Sequence, residues 1–354
     1  MKSLKTILQS LFFATILILT SCSKDDENSK SGTFSNGIFI VNEGAFQSGT
    51  GTITYFNPDS NLVKQDIFEM VNGRPLGNIA QSMTLNNGKG YIVVNNAGTV
   101  EVVDLSTFKS DTTIKGFHNP SQFLIVDATK AYVSDWAGSI AVVDLITNSI
   151  VKTISTGAGS DAMVKSGTYV YVSNSGGLGV DSTVSVIDFV TDKVVKTIHV
   201  GDAPAGIVAD EKGRVWVLCK GTGFAGWPQA GDTEGRLVRI NPATLAVDLT
   251  FIFPTTNDHP DKPVINKAKT IMFFIFNNGI YRFNLTLNYP IPELFMANRN
   301  FYSLGYENKT GYLYATDAKN YISNGLIFRI KADNATVVDS IPAGIIPRGF
   351  AFRE

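Results

Sequence analysis

Apolar and polar residues alternate in short runs along most of the chain, the period of two that sets one side of a strand against a core. The clearest group is KAYVSDWAGSIAVVDLITNSIVKTISTG at 130–157, three alternating runs separated by a loop and a tight turn. The scheme recurs at 37–68, 90–116 and 168–201, and in weaker form at 214–253, 270–295 and 311–341. Aligned on the residue after the middle run, the anchors are Asn57, Asp104, Asp144, Asp188, Asn241, Asn284 and Lys331, spaced 40 to 53 residues apart. A fourth run lies upstream of the units after the first, as in PSQFLIVD at 120–127 or PAGIVAD at 204–210.

Four short strands in about 45 residues is the pattern of a propeller blade. No blade buries both faces alone, so seven pack in a ring around a channel. Blade one lacks its own upstream strand, and PRGFAF at 347–352 has the form to supply it. The reading is an all-β, seven-bladed β-propeller over 37–354, four antiparallel strands per blade, closed by the C-terminal strand. Composition agrees: 44% of residues are hydrophobic, 17% are charged and 32 are glycines, a balance that suits β structure. The net charge of −1 gives no electrostatic case for a nucleic-acid partner.

The first residues read as a processing segment. MKSLK is basic, the following apolar run is short for a membrane span, and LTSC at 19–22 has the form of a lipobox. Residues 1–21 are therefore expected to be a lipoprotein signal peptide, with Cys22 lipidated and 22–36 an acidic tether. A plain secretory signal followed by a solvated linker is the alternative. Cleavage removes Lys2 and Lys5, leaving 28 basic and 31 acidic residues, a net of −3. The expected location is the outer face of the outer membrane, with contact to the bilayer through the lipid alone. Cys219, in the apolar run RVWVLCK, has no partner once Cys22 is acylated and reads as a buried thiol.

Propeller strands run from inner to outer as A to D, so A–B and C–D turns share one face, and B–C and D–A loops the other. The C–D turns are short and begin with Asp or Asn, which reads as turn chemistry. The B–C loops vary in length and carry aromatics among glycines and amides. Long loops on a rigid scaffold commonly carry binding. The candidate ligand-binding residues on that face are Glu43, Phe46, Arg74, Asn96, Asp135, Trp136, Asn174, Leu178, Phe224, Trp227, Asn277, Tyr302, Asp317, Tyr321 and Arg348. Each aromatic has two readings, contact with a ligand or packing under its own loop.

Signals for catalysis are poor. Of the three histidines, His199 sits in a D strand, while His118 and His259 lie in loops of blades that are not neighbours. No HExxH, Cys–His cluster, GxSxG or P-loop occurs. Glu43, Asp135 and Asp317 open B–C loops on one face and could bind calcium or a cationic group, but acids spread around a wide ring form a weak signal. No catalytic residue, metal or cofactor is expected. An enzymatic reading, such as a propeller lyase or lactonase, needs an acid, base or metal cluster at the channel.

The copies YVSD, YVSN and VVDL…VVKTI resemble YVTN/YncE-like propeller repeats. More specifically, IVNEGAF…GTITYFNP, LGNIAQSM, YIVVNN and KAYVSDW are similar to BtuG-type surface lipoproteins, cobalamin-binding propellers of Bacteroidota outer membranes. The likeness spans the chain from Gly37 to the closing GIIPRGFAF. It implies non-covalent capture of cobalamin or a related corrinoid, carried as ligand and not as cofactor, and delivery to a TonB-dependent transporter. A glycan, a siderophore or a partner protein on the same face is the alternative.

Overall fold

A computed structural model describes residues 34, 36–46, 49–177, 179–224 and 226–353. Among them, twenty-eight strands pair into seven four-stranded antiparallel sheets, each running in chain order from the inner to the outer strand. Blade one is the exception that closes the ring. Its inner strand is Pro347–Phe352, paired to Ile38–Asn42 with Ile38 opposite Phe352 and Ile40 opposite Phe350. The architecture read from the repeat is the one observed.

The core lies between blades, where the middle strands are buried on both sides. Tyr171, Val184, Val186, Val215 and Val217 interlock between blades four and five, and Phe253, Phe274 and Phe283 between five and six. Such layers come from β-branched and aromatic residues repeating at every second position. The C–D turns behave as expected: one oxygen of Asp104 accepts the N–H groups of Ser106 and Thr107, and that of Asp144 those of Ile146 and Thr147.

Blade one departs locally from the repeat. Its outer strand is only Leu62–Lys64, and a helix, Ile67–Asn72, follows where the sequence pattern continues as strand. Asp66 caps that helix by accepting the Glu69 N–H, and Gly73 ends it with φ 64°. The helix lays Ile67 and Phe68 on the cluster containing Phe39, Tyr55 and Phe108. Phe34, assigned by sequence to the tether, is buried in the same cluster, edge-on to Tyr55 at 5.1 Å. Cys22, the signal segment and most of the tether lie outside the described residues.

Candidate functional site

The inner strands share a feature that no periodicity announces. In six of the seven blades the strand carries a β-bulge next to its first residue, at the end facing the long loops. A bulge leaves residues unpaired in the ladder and re-aims them. The bulged segments contain Gln81, Gln122, Asp161, Ala205, Lys262 and Arg348, and all of these line one cavity of about 290 Å³ in the central channel. Two larger clefts, of about 480 and 510 Å³, lie on the opposite face between neighbouring blades, away from the long loops.

Loops hold this mouth in place by a repeated clamp. The residue before the inner strand is left-handed at Ile79 (φ 59°), Gly159 (φ 63°), Ala203 (φ 48°) and Ile346 (φ 54°). Their carbonyls accept the N–H groups of Asn95, Ser175, Lys220 and Glu43, the first residues of the B–C loops. A left-handed isoleucine is costly and persists only where its surroundings enforce it. Here the clamp seats Glu43 at the channel.

Four residues expected on this face do converge. Arg348 donates to Glu43 Oε1 at 2.7 Å and the Tyr302 hydroxyl donates to the same oxygen at 3.0 Å. Tyr321 stands edge-on to Tyr302 with ring centroids 5.8 Å apart. Burial opposes the charge of Arg348, but Glu43 and then Tyr302 outweigh it and hold the guanidinium firmly protonated. Burial, reinforced by Glu43, pushes the Tyr302 phenol above its ordinary range. On the neighbouring sector, Lys220 pairs with Asp261 at 3.6 Å. Burial raises the Asp261 carboxyl, yet Lys262 and Lys220 prevail and hold it below the ordinary range.

Other predicted residues have structural employment. Asn174 is fully buried: its amide donates to Thr183 and Ser185 and its oxygen accepts from Ser160, so it pins two strands and cannot meet a ligand. Asn42 does the same in blade one. Asp135, also buried, accepts the N–H groups of His118, Asn119 and Ala137 and thereby fastens two loops together. Arg74 is spent on Glu101 at 2.7 Å and lies over the Phe68 ring, in the inter-blade packing and not at the channel. Asp317 opens its loop by accepting from Lys319 N–H, and Asn277 (φ 44°) with Asn278 (φ 55°) makes a two-residue hairpin turn. Trp136 is half-buried, its indole N–H enclosed without a partner, and Asn96 is exposed at a turn. Leu178 lies outside the described residues.

Four loop aromatics resolve toward solvent. Phe46 is 69% exposed, Phe224 75%, Trp227 70% and Tyr321 55%. Gly44 (φ 83°) makes the Phe46 excursion possible: a Cβ there would sit 2.3 Å from the Thr50 carbonyl oxygen. Sequence reasoning missed Gln81, Asp161, Asp261 and Lys262, which lie at bulges of blades two, four and six, and Lys220, which opens the B–C loop of blade five. The channel mouth is therefore charged, with acids and cations that no motif in the sequence announces. Among the described residues, no group of three or more His, Cys, Asp or Glu could hold a metal ion. His259 is buried, bonding through Nδ1 to the Lys220 carbonyl, and His118 is exposed.

Comparison with known proteins follows the same lines. The family described as "Domain of unknown function (DUF5074)" matches residues 36–336. The chain belongs to that family. Curated protein sequences give no match to this DUF5074 protein. Among solved structures, it is similar to a quinonprotein alcohol dehydrogenase-like protein from Bacteroides thetaiotaomicron, at 17% identity and a TM-score of 0.66, covering 90% of this chain and 78% of that one. A putative 6-phosphogluconolactonase from Bacteroides uniformis matches at 10% identity and a TM-score of 0.65, covering 87% and 97%. Hydrazine synthase from Kuenenia stuttgartiensis matches at 16% identity and a TM-score of 0.61, covering 76% and 88%. At such identities the likeness establishes the DUF5074 fold as a propeller and leaves its chemistry to its own residues.

Proposed function

We propose that this protein is a non-enzymatic surface lipoprotein that captures cobalamin, or a related corrinoid, on the long-loop face and delivers it to a TonB-dependent transporter. The observation that supports this reading most is the set of exposed aromatics Phe46, Phe224, Trp227 and Tyr321 on B–C loops of one face. A corrin ring is a broad disc fringed with amides. It calls for a wide platform that offers apolar area together with many amide and backbone partners. Rigid strands carry the platform, so affinity would come from preorganisation and not from a covalent step. The test is calorimetric titration of the purified protein with cyanocobalamin. Saturable binding is expected, and no heat at tens of micromolar would overturn the assignment.

A further inference from the structure

The channel mouth is divided electrically. Arg348 of blade one and Lys262 of blade six flank Tyr302 of blade seven on one side, and Asp161 of blade four stands on the other with Gln122 and Gln81 of blades three and two. Blade five lines it with Ala205, Gly206 and Ile207, which leaves a gap in the ring of polar side chains.

Several of these groups are left without a partner. The Lys262 ammonium makes no hydrogen bond or ion pair among the described residues; Asp261 favours its charge, but Arg348 and burial outweigh that and lower its pKa. Its backbone is left-handed at φ 54°, inside the bulge that brings it to the channel. Gln81 is 4% exposed and its Oε1 is buried with no donor. Asp161 receives the Ser121 hydroxyl on Oδ1, and Oδ2 has no partner among the described residues. Lys262 and Asp161 are half-buried and open to the cavity, whereas the Gln81 oxygen is buried. A buried polar atom without a partner costs stability unless something supplies its bond.

We infer that this mouth binds a small zwitterion of the α-amino-acid class, its carboxylate on Lys262 and Arg348 and its ammonium on Asp161 and the Gln81 carbonyl. Size and charge both argue for it. The cavity of about 290 Å³ is at the small end of ligand sites. The three cations Arg348, Lys262 and Lys220 already balance the three acids Glu43, Asp161 and Asp261. A neutral zwitterion keeps that balance, whereas a simple anion or cation would meet one like-charged wall. The site is built from charged and amide side chains of the inner strands, and of the exposed aromatics only Tyr321, edge-on to Tyr302, reaches its edge.

Thermal unfolding of the purified full chain, with each of the standard L-amino acids, tests the inference, with propionate and ethylamine as single-charge controls. At least one amino acid is expected to raise the midpoint, by about 4 °C at a hundredfold excess over its Kd, while neither control does. Calorimetry should then show at least tenfold weaker binding for Lys262→Met and for Asp161→Asn. Lys262 has no hydrogen bond or ion pair to lose and Asp261 keeps its pair with Lys220, and the amide oxygen introduced by Asp161→Asn would still accept from Ser121. Both unliganded variants should therefore keep the parent circular dichroism and melting. The inference is overturned if no amino acid shifts the midpoint, if propionate or ethylamine binds as well as the amino acid, or if both folded variants bind like the parent.

Discussion

Phe46→Ala separates binding from stability at one loop position. The ring is 69% exposed, so about a third of the ~200 Å² an aromatic can bury is already covered. At ~25 cal/mol per Å² that third is worth at most about 1.5 kcal/mol, and realistic unfolded chains lower the figure further. The exposed two-thirds, if covered by a bound disc, could contribute about 3 kcal/mol on the same scale. Binding losses of about 2 kcal/mol or more mark central contacts of an interface. The substitution is therefore expected to weaken cyanocobalamin binding more than tenfold while moving the unfolding midpoint by about 2 °C or less. Calorimetric titration and differential scanning calorimetry on one preparation measure both. Unchanged affinity at an unchanged midpoint would refute the placement of Phe46 in a ligand platform.

Truncation after Ile346 removes the strand that pairs with Ile38–Asn42 and the stacked Phe350 and Phe352 that pack on Tyr314. It should abolish the cooperative melting transition, and a truncated chain with the parent transition would contradict the closure. Acid titration should show a plateau followed by loss of stability. The Ser106 hydroxyl and the Thr107 N–H hold the Asp104 carboxyl at about 2, against 3.8 ordinarily, and backbone N–H groups, foremost that of Thr147, lower Asp144 as well. A depressed carboxylate stabilises above its unfolded value and loses that contribution as pH falls through the folded one, so stability should decline from about pH 4 toward 2. Ser106→Ala should raise the Asp104 value, read by carbon-13 titration of its carboxyl. Burial pushes the Cys219 thiol far up, so a thiol reagent should leave Cys219 unlabelled in the native protein and modify it only after unfolding, as located by mass spectrometry.

Much of the long-loop face was legible residue by residue, but unevenly. Phe46, Phe224, Trp227 and Tyr321 stood out because large apolar groups among glycines have no place in a strand, and they are exposed. Asn174 and Asp135 looked equally suited to a ligand and are instead buried fasteners. Sequence cannot tell these apart, since an amide or carboxylate at a strand end serves a loop N–H as well as a ligand.

The repeat by itself determined the fold: alternating runs, turn residues at fixed offsets and a C-terminal strand of the right form leave one way to bury seven sheets. Local pairing rules act over a few residues, so they are written locally. The channel was decided only in three dimensions. Asp161, Lys262 and Arg348 come from separate blades, and each reaches the cavity through a bulge that displaces it from the ladder. A bulge is one extra residue in a register set by a neighbouring strand, and no period within a single strand reveals it.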